Sequence, residues 1–238
     1  MAYPLRHLTR RAIWFAVPAF TGFGLPRVVS GQPPPEVMIR FTVFSAEPVD
    51  GVGYIPKPDA PAMPLVFYPT ARSPRYTYEG GNPLRFYLRA NDGMTSAAAA
   101  EVTIPPGVRD GLLLFTPATV PGAPRYSVRL IDDGPGRHPP GAIAIANLSG
   151  LPLRGTVGRT EMVLKDGLNP PVKIARSAPV MLRTMFRGRF YQSYAGIVEL
   201  EAGERALLIL LPPYRAGSLE VQSRLLVDDG GAIQPPGR

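Results

Sequence analysis

Two stretches of the chain are apolar without alternation: Leu112-Leu113-Leu114-Phe115, and Ala206 to Leu211 with the sequence ALLILL. A strand with one solvated face alternates apolar and polar residues, whereas an unbroken run of this length, with Gly before and Pro after, predicts a strand buried on both faces. Pro212-Pro213 ends the second run before a helix could reach useful length. Around these runs the pattern predicts further short strands. Val37 to Phe44 is rich in β-branched and aromatic residues. Leu65–Tyr68, Arg75–Tyr78, Leu84–Leu88, a segment ending at Ile104, Tyr126–Ile131 and Ala142–Leu148 have the same character. Asn91-Asp92-Gly93 and Pro105-Pro106-Gly107 predict turns. Val52 to Met63 reads as loop, and Ala97 to Ala100 as loop leading into a strand.

The two buried runs belong to a longer self-match. At an offset of 96, Glu101–Gly134 falls on 197–230 with 11 identities in 34 positions and no gap, among them Gly107/Gly203, Arg109/Arg205, Leu112/Leu208 and Asp132-Asp133-Gly134/Asp228-Asp229-Gly230. Upstream, an offset of 104 aligns Ser45, Pro48 and Gly51 with Ser149, Pro152 and Gly155. The same offset aligns Ala71-Arg72-Ser73 with Ala175-Arg176-Ser177, and Arg85-Phe86-Tyr87 with Arg189-Phe190-Tyr191. One duplication explains both offsets if the first copy carries eight extra residues near Asn91–Ala100, where a surface loop tolerates added length.

The expected fold is therefore all-β, as two tandem immunoglobulin-like β-sandwich repeats over 37–134 and 141–230. The alternative is one pseudo-symmetric β domain built from both repeats. Residues 32–36 form a Pro-rich lead-in, 135–140 a linker and 231–238 a flexible tail. Composition agrees: 30 Pro and 25 Gly in 238 residues punctuate the chain too often for helices, and 45% apolar content supports a core.

Residues 1–31 read as a signal peptide. Arg6, Arg10 and Arg11 precede an apolar stretch from Ala12 to Leu25, and small residues lead to a cut between Gly31 and Gln32. The stretch is short for a membrane span. This predicts a periplasmic or extracellular protein of bacterial type. The Sec route is expected, with the twin-arginine route as alternative because of Thr9-Arg10-Arg11. Net charge is +8, almost all from scattered arginine; the leader carries four of these and no acids, so the mature chain has 8 − 4 = +4. Without a basic run, nucleic acid is not an expected partner. The mature chain contains no run long enough for a transmembrane segment. Cys is absent, which excludes disulfides, thiol catalysis and thiolate metal sites.

Catalytic residues are scarce. The two histidines are His7 in the leader and His138 in the linker, and no G-x-S-x-G elbow occurs. Asp132, Asp133, Asp228 and Asp229, with Glu199, Glu201 and Glu204, are the remaining carboxylates for hydrolysis. The Asp pairs also count as weak calcium candidates, although no D-x-D-x-D series is present. Asp-Asp-Gly at a strand end is explained by turn formation. No cofactor is expected. Tyr76, Tyr78, Phe86, Tyr87, Phe190 and Tyr191 are candidate ligand-binding aromatics, set against the expectation that alternate strand residues face the core. The functional expectation is an exported, non-catalytic structural, adhesive or protein-interaction module with a protein or polysaccharide partner at the cell envelope. A carbohydrate-binding module is the alternative, and a carboxylate-dependent hydrolase ranks below both.

Overall fold

The computed structural model describes residues 36–90, 93–120 and 122–229. The expected signal peptide with its Gly31/Gln32 cut, Asn91 and Asp92 of the expected turn, and the expected tail lie outside them. The described residues are all-β, as the sequence predicts. In chain order the strands are β1 (Glu36–Ser45), β2 (Val52–Tyr54), β3 (Met63–Pro64), β4 (Tyr76–Gly81), β5 (Leu84–Ala90), β6 (Gly93–Val102), β7 (Asp110–Pro117), β8 (Tyr126–Asp132) and β9 (Ala142–Asn147). They continue as β10 (Leu153–Val157), β11 (Thr160–Val163), β12 (Gly167–Leu168), β13 (Val172–Lys173), β14 (Ser177–Phe186), β15 (Arg189–Glu199), β16 (Arg205–Leu211) and β17 (Gln222–Asp228).

Four sheets stack in layers. The first half of the chain supplies an outer sheet, β3-β2-β5-β6, and an inner sheet, β4-β1-β7-β8. The second half supplies an inner sheet, β12-β9-β16-β17 with β13 beside β9, and an outer sheet, β11-β10-β14-β15. Between each outer sheet and its inner partner lies an apolar core. Phe41, Val43, Tyr54, Phe86, Leu113 and Phe115 fill the first. Ile143, Ile145, Leu182, Val198, Leu208 and Leu210 fill the second. A third core lies between the two inner sheets, where Phe44, Leu112, Leu114 and Ile131 meet Ala144, Ala146, Leu207, Ile209 and Leu226. Both halves belong to one compact unit.

This layering accounts for the unbroken apolar runs. β7 and β16 sit centrally in the inner sheets, so one face meets its own half's core and the other meets the opposite half. β1 records the transition along its length: its early residues alternate, and from Phe41 every residue is buried on both faces. Each half pairs its first strand in parallel with its buried strand, β1 with β7 and β9 with β16.

The correspondence between halves differs from the sequence match by one residue. Leu112 pairs with Ile131 across β7–β8, and Leu207 pairs with Leu226 across β16–β17; all four face the shared core. The structural offset is thus 207 − 112 = 95, not 96. At the sequence offset, Leu112 in the shared core is matched to Leu208 in the second half's own core. A one-residue shift along a strand exchanges its faces. Leucine on both faces of β7 and β16 lets identities survive that exchange.

Other expectations are corrected locally. Ala97–Ala100, read as loop, lies within β6, where pairing with β5 imposes extended backbone. Within the expected 135–140 linker, His138 is buried, at 1% exposure. The segment 177–186, which alternates strictly between exposed and buried residues as far as Met185, forms a strand in the outer sheet. At the offset of 104 it corresponds to β4, which instead lies on β1 in an inner sheet.

Candidate functional site

The Asp pairs end their strands as expected, β8 at Asp132 and β17 at Asp228. Neighbouring residues on a strand point to opposite faces, so each pair is split. Asp133 turns inward and Asp132 outward, where it meets Arg137 at 3.5 Å and accepts a hydrogen bond from the Gly134 amide. In the second half the order reverses, following the one-residue shift: Asp228 turns inward and Asp229 is exposed. The structure therefore brings together Asp133 and Asp228, and neither Asp132 nor Asp229.

Between Asp133 and Asp228 lie two guanidinium groups. Arg205, the first residue of β16, is 2% exposed. Its Nε donates to Asp228 Oδ1 at 2.6 Å. Its Nη1 donates to the carbonyls of Asp133 and His138, and its Nη2 to Asp133 Oδ2 and Asp228 Oδ2. All five N–H groups of the fork are engaged. Arg72 reaches in from the first half, with Nη1 2.5 Å from Asp133 Oδ2 and Nε 2.8 Å from Asp228 Oδ2. His138 completes the cluster: Nδ1 is 3.0 Å from Asp133 Oδ1 and Nε2 is 2.9 Å from the Ala206 carbonyl. Burial opposes ionisation of Asp133. The His138 hydrogen bond and the charges of Arg72 and Arg205 outweigh it and hold the carboxyl at about 2.

The cluster joins the two halves, and its chemistry is internal. His138 does find a carboxylate partner, but its other nitrogen faces a backbone carbonyl rather than a nucleophile, and the ring is shielded from solvent. A calcium ion between Asp133 and Asp228 would have to displace two guanidinium groups. Among the described residues, no group of three or more His, Asp or Glu side chains is arranged to hold a metal ion.

The candidate aromatics are divided between core and surface. Phe86 is fully buried, and Tyr76 nearly so. Both pack on Phe41, at ring separations of 6.4 and 5.6 Å. The Tyr76 hydroxyl accepts a hydrogen bond from the Val66 amide. Tyr78 and Tyr87 are half-buried and line one groove of about 290 Å³ with Lys57, Glu79 and Arg85. Phe190 and Tyr191 are exposed, at 47% and 42%, far along the chain on β15. No single stripe unites the six.

A larger solvent-facing groove contains residues that the sequence reading did not single out. It lies on the outward face of β11-β10-β14-β15, encloses about 590 Å³ and is lined by Arg154, Thr156, Glu161, Val163, Met181, Arg183 and Phe190 among others. Strand register arranges them in rows. Val163, Arg154, Arg183 and Gln192 form one row across the sheet. Glu161, Thr156, Met181 and Ala195 form the next, and Met185 pairs with Phe190 on the other side. Arg154 lies over the Phe190 ring at 5.5 Å. Val163, Met181, Met185, Phe186, Phe190 and Ile197 are each at least 40% exposed. A signal for this face existed in the alternation of β14: with Val180 and Leu182 inward, Met181, Arg183 and Met185 must face outward.

No protein-family model matches the chain, and no curated protein matches it.

Among the described residues, no helix is long and apolar enough to cross a membrane.

Proposed function

We propose that the chain is an exported, non-catalytic interaction module of the cell envelope or its exterior. The observation that carries this reading is the outward face of β11-β10-β14-β15. It presents Met, Phe and Arg side chains together in a broad groove rather than an enclosed cleft. Those residue types are enriched at the cores of protein interfaces relative to the rest of the surface. The disposition of the ionisable groups supports the non-catalytic part. His138, Asp133 and Asp228 are bound to Arg72 and Arg205 between the halves, where they hold the molecule together. The export part rests on the leader pattern of residues 1–31.

The test is expression of the full chain with a C-terminal tag in a Gram-negative host, followed by fractionation and N-terminal sequencing. The expected product is periplasmic or secreted and begins at Gln32. A cytoplasmic protein that retains Met1 would refute export.

The groove of Tyr78, Tyr87, Arg85 and Lys57 favours carbohydrate binding as a second reading, because two half-buried tyrosines and two cations converge there. Electrophoresis through gels containing soluble polysaccharides distinguishes the two. Retardation that disappears in Y78A/Y87A would establish the second reading over the first.

A further inference from the structure

We infer that the outward face of β11-β10-β14-β15 docks an acidic, apolar-rich segment of a partner protein, whose carboxylates pair with Arg154 and Arg183. This rests on the interaction-module reading and names the surface and the partner's chemistry.

Two like charges stand side by side in the middle of this face. Arg154 and Arg183 are direct cross-strand partners between β10 and β14. Like charges in that position repel and destabilise a sheet. Several arginines of this chain stand beside carboxylates: Arg40 and Arg75 meet Asp110, Arg85 meets Glu101, and Arg72 and Arg205 meet two aspartates. The Arg154–Arg183 row carries no carboxylate, since its other members are Val163 and Gln192, and the acid that lines the groove, Glu161, sits one row away opposite Thr156. Two forked donors side by side match carboxylates bidentately, which suits an acidic ligand better than a neutral one.

The surroundings specify the remainder of the ligand. Met181, Met185 and Phe190 flank the arginine row on both sides and are 40–55% exposed. Methionine and phenylalanine of this kind accept apolar side chains of varied shape. A sugar acid would satisfy the arginines but would leave Met181 and Met185 against hydroxyl groups. A peptide that alternates acidic and apolar residues matches both. The hairpin tip adds a third element. Arg187 and Gly188 turn β14 into β15 with φ of 49° and 77°, a two-residue turn with both central residues left-handed. Asn or Gly would serve this turn with less strain than Arg. Arg187 and Arg189 thus extend positive charge beyond the end of the groove.

The experiment selects random dodecapeptides on phage against the purified chain, then measures the selected peptides by fluorescence anisotropy. The expected peptides interleave Asp or Glu with Leu, Ile, Met or Phe. Their affinity should fall at least 10-fold in R154E/R183E, fall similarly in the milder R154Q/R183Q, and remain unchanged in Y78A/Y87A. Thermal melting of each variant verifies folding, and R154Q/R183Q carries the test if the reversal variant melts early. Three results would overturn the inference: peptides without acidic enrichment, affinity insensitive to both arginine variants, or recovery of no peptide. Retention of alginate or polygalacturonate that depends on Arg154 and Arg183 would also overturn it, by assigning the face to an anionic polysaccharide. A chain that is exported yet fails the peptide test leaves the wider reading intact, so the two failures are distinguishable.

Discussion

Arg205 donates every guanidinium hydrogen to an acceptor from Asp133, His138 or Asp228, in a place solvent barely reaches. Removing one member of such a buried cluster leaves another charge unpaired, which costs about 3–5 kcal/mol. D133N is the informative variant, because it keeps the shape and removes the charge facing Arg72, Arg205 and His138. Urea denaturation should show a loss of that order. The same residue sets an acid dependence. Its folded carboxyl titrates at about 2, below the usual value near 3.9 for an unfolded chain. A depressed pKa gives stability that is complete above the unfolded value and lost as pH falls towards the folded one. From pH 4 to pH 2 the wild-type protein should therefore lose roughly 2 kcal/mol more than D133N. Equal acid sensitivity of the two would show that Asp133 is not the group responsible.

At the scale of elements, the outer sheet β11-β10-β14-β15 offers two contrasting sites. A Cβ added at Gly155 on β10 would stand 1.8 Å from the Met181 carbonyl oxygen on β14. G155A must push those strands apart, so thermal melting should show clear destabilisation, well beyond the ~0.5 kcal/mol of an ordinary surface change. Arg183 predicts the opposite sign. R183E replaces cross-strand repulsion with attraction to Arg154 and should stabilise by about 0.2–1 kcal/mol at low salt, with the gain shrinking as salt rises. A destabilised R183E would mean that the arginine row already serves the fold. The strands themselves were largely readable from β-branched and aromatic patterning, as β1, β5, β7, β8 and β16 demonstrate. Face assignment was readable where alternation exists, as in β14. It was not readable in β7 and β16, where both faces are leucine-rich and a shift of one residue changes no local property.

The whole molecule depends on the inner sheets meeting. Phe44, Leu112 and Leu114 bury against Ala144, Leu207 and Ile209, and the Arg72–Asp228 and Arg205–Asp133 pairs cross the same boundary. Urea unfolding followed by intrinsic fluorescence and by circular dichroism should give coincident single transitions. A fragment of residues 141–229 would expose the apolar inward face of β9 and β16 to water. Size-exclusion chromatography should find it self-associated rather than monomeric. A well-behaved monomer would show that each half is independently sufficient.

The sequence by itself determined the all-β class, the strand-ending role of Asp132 and Asp228, and the existence of two centrally buried strands. These follow from local pattern: proline and glycine spacing, β-branched content and runs without alternation. Only the tertiary structure decided the one-residue offset between the halves, the joining of Arg72 and His138 to Asp133 and Asp228, and the separation of buried Phe86 from exposed Phe190 despite their identical Arg-Phe-Tyr context. Each of those depends on which sheet face meets which layer. Stacking across the third core sets that relation, and it brings residues as distant in the chain as Phe44 and Leu207 into one cluster.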